Sequence, residues 1–110
     1  MAQGFFVTGT DTGVGKTLVA CALLHAFAAA GKSVLGMKPV AAGSEGGRYA
    51  DVDALTKASS VAADAALINP YSFAPPIAPH IAAAQAGRLI TIDTIVQAFT
   101  ALAKRADVVV

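Results

Sequence analysis

The sequence holds a single cysteine, Cys21, so no disulfide can form within the chain, which fits a reducing compartment. Charge is scarce too: 8 Lys and Arg against 7 Asp and Glu leave a formal net charge of +1 over 110 residues. That balance gives no electrostatic footprint for nucleic acid or for an anionic membrane surface. The start, "MAQGFFVTG", lacks the basic stretch and long apolar core of a leader. The longest apolar run, Leu18 to Ala30, is interrupted by His25 and falls short of the ~20 residues needed to span a bilayer. These shortages read as a soluble, cytoplasmic protein of one domain at most, with neither nucleic acid nor membrane as partner.

What the chain does have is apolar substance, 55% of its residues, arranged as alternating strands and helices. Gly4 to Thr8 predicts a strand whose consecutive Phe5, Phe6 and Val7 suit a central parallel position covered on both faces. Lys16 to Ala30 predicts a helix rich in Ala and Leu, ended by Gly31 and apolar nearly all round, so that both its sides should be buried. Ser33 to Val40 predicts a second strand, completing a βαβ unit with a right-handed crossover. Beyond it, "AAGSEGGRYA" reads as a loop and Asp51 to Ser59 as a short helix. "INPYSFAPPIAPH" holds four of the five prolines, which argues against regular helix or central strand there.

A short helix near His80 to Ala86, ended by Gly87, should follow. Asp93 to Ala106 is the best amphipathic pattern, with Ile95, Val96, Phe99, Leu102 and Ala103 on one face and Lys104 and Arg105 at the dipole's negative end. The chain closes on "ADVVV", inside what reads as a buried strand, so the sequence is expected to be the front half of a larger domain.

Between the first strand and the first helix lies "GTDTGVGKT", Gly9 to Thr17. The strict phosphate-loop pattern is G-x-x-x-x-G-K-[ST], whereas Gly9 and Gly15 here have five residues between them. The context is nonetheless the required one: strand, glycine-rich turn, lysine and hydroxyl residue, helix. Inward-pointing amides and the positive end of the helix make an anion site. Gly13 and Gly15 allow close approach of phosphate oxygens, Lys16 reaches the terminal phosphates, and the Thr17 hydroxyl suits Mg²⁺. Lys38 lies at the C-terminal end of the second strand, the edge where open α/β sheets bind ligands, and Pro39 holds it extended. A lone lysine at a strand end is ordinarily a surface residue; its place opposite the loop favours function.

"GTDTGVGKT", then "MKPVAAGSE", "DVDAL" and "NPYSF…APHIAAAQ", together resemble the dethiobiotin synthetase family of the P-loop NTPase superfamily, whose loop also has five residues between its glycines. The resemblance covers the whole chain, about the first half of the family's usual length. It implies an α/β, P-loop NTPase-like three-layer fold with a mostly parallel sheet, residues 1–110 being the N-terminal part of a single domain. By the same resemblance, Thr12, Gly13, Val14, Gly15, Lys16, Thr17 and Leu18 match the nucleotide-binding stretch, Thr17 and Asp53 the magnesium and ATP site, and Lys38 the active-site lysine. Lys16 and Lys38 are then the catalytic pair. Ala42, with Lys38, stands at the substrate, where the family commonly has a serine; Gly13 stands where it often has glutamate. Ser44 is the nearest hydroxyl that could replace the missing one.

The implied reaction joins 7,8-diaminopelargonate, CO₂ and ATP, with Mg²⁺, in biotin synthesis, and the implied assembly is a homodimer. One amine captures CO₂ as a carbamate, a carbamate oxygen attacks the γ-phosphate, and the second amine closes the urea ring with loss of phosphate. The alternative is a nucleotide-switch ATPase of the partitioning or cargo-insertion type. Those commonly carry a second lysine early in the loop, where this chain has Thr10, Asp11 and Thr12. A glutamine-dependent amidoligase shares the fold but normally adds a glutaminase domain, and a front-half fragment with no function alone is a third reading.

The remaining residues read more plainly. Asp51 is a helix cap, Lys57 a solvated helix residue, Cys21 a small core residue and His25 a helix-edge residue. His80 supports the substrate segment, and Tyr71 and Phe73 pack rather than stack on a base.

Overall fold

The computed structural model describes residues 3–7, 14–42, 49–73, 84, 87 and 89–110. Its elements in chain order are β1 (Gln3–Gly4), α1 (Val14–Ala29), β2 (Val34–Leu35), β3 (Val40–Ala42), α2 (Ala50–Ala58), α3 (Ala65–Ile68), β4 (Tyr71–Phe73), α4 (Ile92–Ala103) and β5 (Val108–Val109). β5 lies in the middle of a parallel three-stranded sheet in the order β1, β5, β2, pairing Gln3 and Val34 with Val108, and Gly4 and Leu35 with Val109.

Alternation along these strands sorts the core into two halves. Val34 and Val108 turn to one face, where they pack with Ala20 and Leu24 of α1 and Leu55 and Ala58 of α2. Leu35 and Val109 turn to the other and meet Ile68 of α3 and Leu102 of α4. Helices on both faces of a parallel sheet give the three-layer α/β architecture that the sequence predicts.

Local differences from the predicted elements occur at five places. The predicted strand from Ser33 to Val40 is two strands in two sheets, because β3 pairs in parallel with β4 instead of continuing along β5. The switch occurs where the main chain changes partners: the Met37 N–H donates to Val110 O at 2.8 Å and the Lys38 N–H to Ile68 O at 2.8 Å. Pro39 then has no N–H to give. The proline-rich stretch does hold a strand, β4, since Tyr71 to Phe73 fall between Pro70 and Pro75 and keep their own donors. Among the described residues β1 pairs with β5 on one side, and Phe6 beyond it is 85% exposed. In α1 only one side is buried: Ala20 and Leu24 are in the core, whereas Leu18 and Val19 are exposed. A helix apolar all round gives no pattern from which to read the buried side. In α4 the buried residues are Ala98 and Leu102, with Val96 exposed. Ile95, Phe99, Leu102 and Ala103 of the predicted face do pack against the core, and Val96 alone of it is exposed.

Other junctions follow their sequence signals. Gly31 adopts φ 87°, the left-handed conformation that ends α1. Asp64 caps α3 by accepting the Ala66 N–H at 3.2 Å, and Thr91 caps α4 by accepting from Thr94. Of the helix predicted near His80, Ala84 is helical and Gly87 forms a turn, the rest lying outside the described residues. The starts of β2 and β5 are clasped reciprocally. Ser33 N–H donates to Asp107 Oδ2 at 3.0 Å and Asp107 N–H to Ser33 Oγ at 2.8 Å. The Ser33 main-chain and side-chain hydrogen bonds hold the Asp107 carboxyl below its usual range.

The outer edge of β2 is sealed by serines that follow α2. Val34 N–H donates to Ser60 Oγ and Gly36 N–H to Ser59 Oγ, each at 2.9 Å. This brings Gly36 so close to the helices that a Cβ there would lie 2.9 Å from Leu55 Cβ and 3.1 Å from Leu24 Cδ1. Gly36→Ala should therefore cost about 1–2 kcal/mol by overpacking. Urea unfolding is expected to show a lower midpoint with an unchanged slope; a midpoint equal to that of the parent would mean the two leucines can withdraw.

Candidate active site

The charged groups singled out in the sequence come from separate elements and meet at the ends of parallel strands. Lys16 and Thr17 stand in the first turn of α1. Lys38 follows β2, past the point where the chain leaves the first sheet. All three line one cavity of about 690 Å³, with Pro39 and Val40 beside them. The lining also includes apolar Phe6 and Ile95, Val96 and Phe99 of α4. Two ammonium groups and the first turn of a 16-residue helix thus border the same cavity. A helix start carries partial positive charge and unpaired amides, so this end suits an anion.

Lys38 is held by its main chain on both sides. Its N–H donates to Ile68 O at 2.8 Å, and its carbonyl accepts from Asn69 Nδ2 at 2.7 Å. The same Asn69 amide group donates to Tyr71 O at 2.9 Å. Asn69 therefore ties the end of β2 to the start of β4. The sequence reading passed over it; the only available signal was its place before Pro70, in a segment noted for resemblance rather than for hydrogen bonding.

Asp51 does not cap α2. The cap position is Tyr49, which makes no side-chain cap bond, and Asp51 sits inside the first turn. Its Oδ2 lies 3.4 Å from Lys38 Nζ, with both side chains about a third exposed. It also faces α1: burial first, and then the Asp51 charge, push the Cys21 thiol up from its usual range. Cys21 is half-buried against the α1–α2 core, as a small packing residue should be.

Asp53 is half-buried in the same turn of α2, its N–H donating to Tyr49 O at 3.0 Å. It is not among the residues lining the cavity. Thr17 and Asp53 nevertheless supply hard oxygen donors from two helices that pack together. Mg²⁺ asks for no more than one or two protein oxygens beside phosphate and water. Among the described residues no cluster of three or more His, Cys, Asp or Glu is placed for a metal.

Of the other named positions, Val14 and Gly15 open α1, Leu18 is exposed on its next turn, and Ala42 ends β3 in register with Phe73. Thr12, Gly13, Ser44 and His80 lie outside the described residues. Tyr71 and Phe73 are buried, and the Tyr71 hydroxyl accepts the Thr91 N–H at 3.1 Å. They pack, as expected. His25 and Lys57 are exposed.

A parallel α/β sheet with a lysine and a threonine in the first turn of the helix after its first strand defines the nucleotide-binding P-loop class. A family model described as an AAA domain matches residues 3–110, and the chain belongs to that family. It is 60% identical over 110 residues to the ATP-dependent dethiobiotin synthetase BioD of Nitrosospira multiformis, covering 100% of this chain and 49% of that protein. It is 50% identical over 110 residues to the enzyme of that name from Xanthomonas axonopodis pv. citri, covering 96% of this chain and 49% of the relative. With ATP-dependent dethiobiotin synthetase BioD 1 of Escherichia coli O157:H7 it shares 50% over 111 residues, covering 97% and 49%. The resemblance drawn from the loop and the "MKPV" and "NPYSF" segments is borne out. The chain spans about half the length of the curated relatives it matches.

Proposed function

We propose that the intact protein is an ATP-dependent ligase of biotin synthesis, closing the ureido ring of dethiobiotin from 7,8-diaminopelargonate, CO₂ and ATP. Residues 1–110 would then be the N-terminal part of a single catalytic domain, acting in the cytoplasm as a homodimer. In keeping with a soluble enzyme, no helix among the described residues is long and apolar enough to cross a membrane. The observation that carries the reading is the convergence of Lys16, Thr17 and Lys38 on one cavity, in a chain 60% identical to a dethiobiotin synthetase.

The chemistry sets the protein a definite task. A carbamate and a triphosphate, both anions, must approach until a carbamate oxygen reaches the γ-phosphorus. Positioning and charge neutralisation then dominate catalysis. Lys16, at the start of α1, neutralises the β- and γ-phosphates, alongside main-chain amides from Thr12 to Leu18. Lys38, past the end of β2 at the same edge of the sheet, bridges carbamate and γ-phosphate, with Ala42 near the diamine. Thr17 and Asp53 would hold Mg²⁺, which when bound draws off phosphate charge.

The test is product analysis on the intact protein with ATP, bicarbonate and diaminopelargonate. ADP and phosphate release should require both the diamine and bicarbonate. Bicarbonate labelled with ¹⁸O should pass one labelled oxygen to the phosphate, because the attacking carbamate oxygen leaves with it. ATP turnover without any small amine would favour a nucleotide switch instead.

A further inference from the structure

Lys38 has its main chain fixed by Ile68 and Asn69, yet its four-carbon side chain still has the rotamer freedom of any lysine, costly to suppress at each turnover. The only side chain with which its ammonium forms an ion pair among the described residues is Asp51. Asp51 is itself well anchored. It sits one turn before Leu55, which is 3% exposed and packed with Leu24 and Val34 in the core. Its carboxylate is also favoured by the N-terminal end of α2. Asp51 does not itself line the cavity, but it is paired with a lysine that does; so near a site for polyanions its charge alone would repel them, and the Lys38 ammonium offsets it.

We infer that Asp51 is a positioning residue for Lys38: its carboxylate, fixed on the first turn of α2, holds the Lys38 ammonium at the cavity rim, where carbamate and γ-phosphate meet. This rests on the function proposed above. The pair predicts a particular split in kinetics. Removing the Asp51 charge frees Lys38 to wander, which slows the chemical step. It also removes a repulsive charge near the nucleotide, so binding of ATP should not weaken.

In the intact protein, Asp51→Asn is expected to lower kcat roughly five- to tenfold, the scale of losing one partly exposed orienting pair, with KM for ATP unchanged or lower. Asp51→Glu, which keeps the charge on a longer arm, should recover most of the loss. In a Lys38→Gln background, Asp51→Asn should have no further effect, whereas a merely structural role would cost the same in both backgrounds. An unchanged kcat, a rise in KM for ATP in step with the loss, or equal losses in the two backgrounds would overturn the proposal.

If the parent protein shows no diamine-dependent turnover, the synthetase reading fails, and the pair is decided separately on ¹⁵N-lysine-labelled protein. The Lys38 ammonium resonance, assigned by its disappearance in Lys38→Gln, should move in Asp51→Asn; an unmoved resonance overturns the assignment.

Discussion

Lys38→Gln is expected to leave nucleotide binding near normal and to remove most turnover. The substitution is close to isosteric along the stem, and the main chain at residue 38 is held by hydrogen bonds that do not depend on the side chain, to Ile68 O and from Asn69 Nδ2. The fold should therefore be untouched. On the proposed function, what disappears is the positive charge that would lie between the two anions. In a cavity partly lined by apolar side chains, losing one preorganised charge or donor of this kind costs roughly 2.7–4 kcal/mol of transition-state stabilisation, about 10²–10³ in kcat. Nucleotide affinity, measured by calorimetry with a non-hydrolysable analogue, should change by less than about threefold, because in the proposed site Lys16 and the start of α1 would carry ground-state phosphate binding. Nearly unaltered turnover in the variant would take Lys38 out of the mechanism.

The parts of the molecule that were legible in its sequence are those whose signals are local. α1 begins where a glycine-rich turn meets an Ala/Leu run and ends at Gly31 with φ 87°. α2 and α4 follow their apolar spacing to within a few residues. Lys16, Thr17 and Lys38 could be nominated because strand–loop–helix order places them at one edge of a parallel sheet. What escaped depends on partners distant in the chain. The break between β2 and β3 is decided by Val110 and Ile68 accepting from Met37 and Lys38, and no window around Gly36 contains that information. Asp51 read as a cap because a carboxylate at a helix start usually is one; its true partner, Lys38, is brought to it by the fold.

Asn69 is where fold and site are joined, and its loss should be felt in both. Asn69→Ala removes one NH₂ group that serves two carbonyls, those of Lys38 at 2.7 Å and Tyr71 at 2.9 Å. A carbonyl left short of its donor costs about 1–3 kcal/mol when buried. With partial access of water at this half-buried position, the sum should come to roughly 2–4 kcal/mol. Urea unfolding should show it as a lower midpoint with the slope retained. Asn69→Asp separates donation from packing. The side chain keeps its size and shape but offers only acceptors, so it turns an oxygen toward two carbonyl oxygens and should be at least as damaging as alanine. If instead the aspartate variant matches the parent while the alanine variant does not, Asn69 serves by filling space. The chemical step should respond as well. With the Lys38 carbonyl untethered, the strand end that aims the ammonium loosens, so kcat falls further than nucleotide affinity even under conditions where the variant is fully folded.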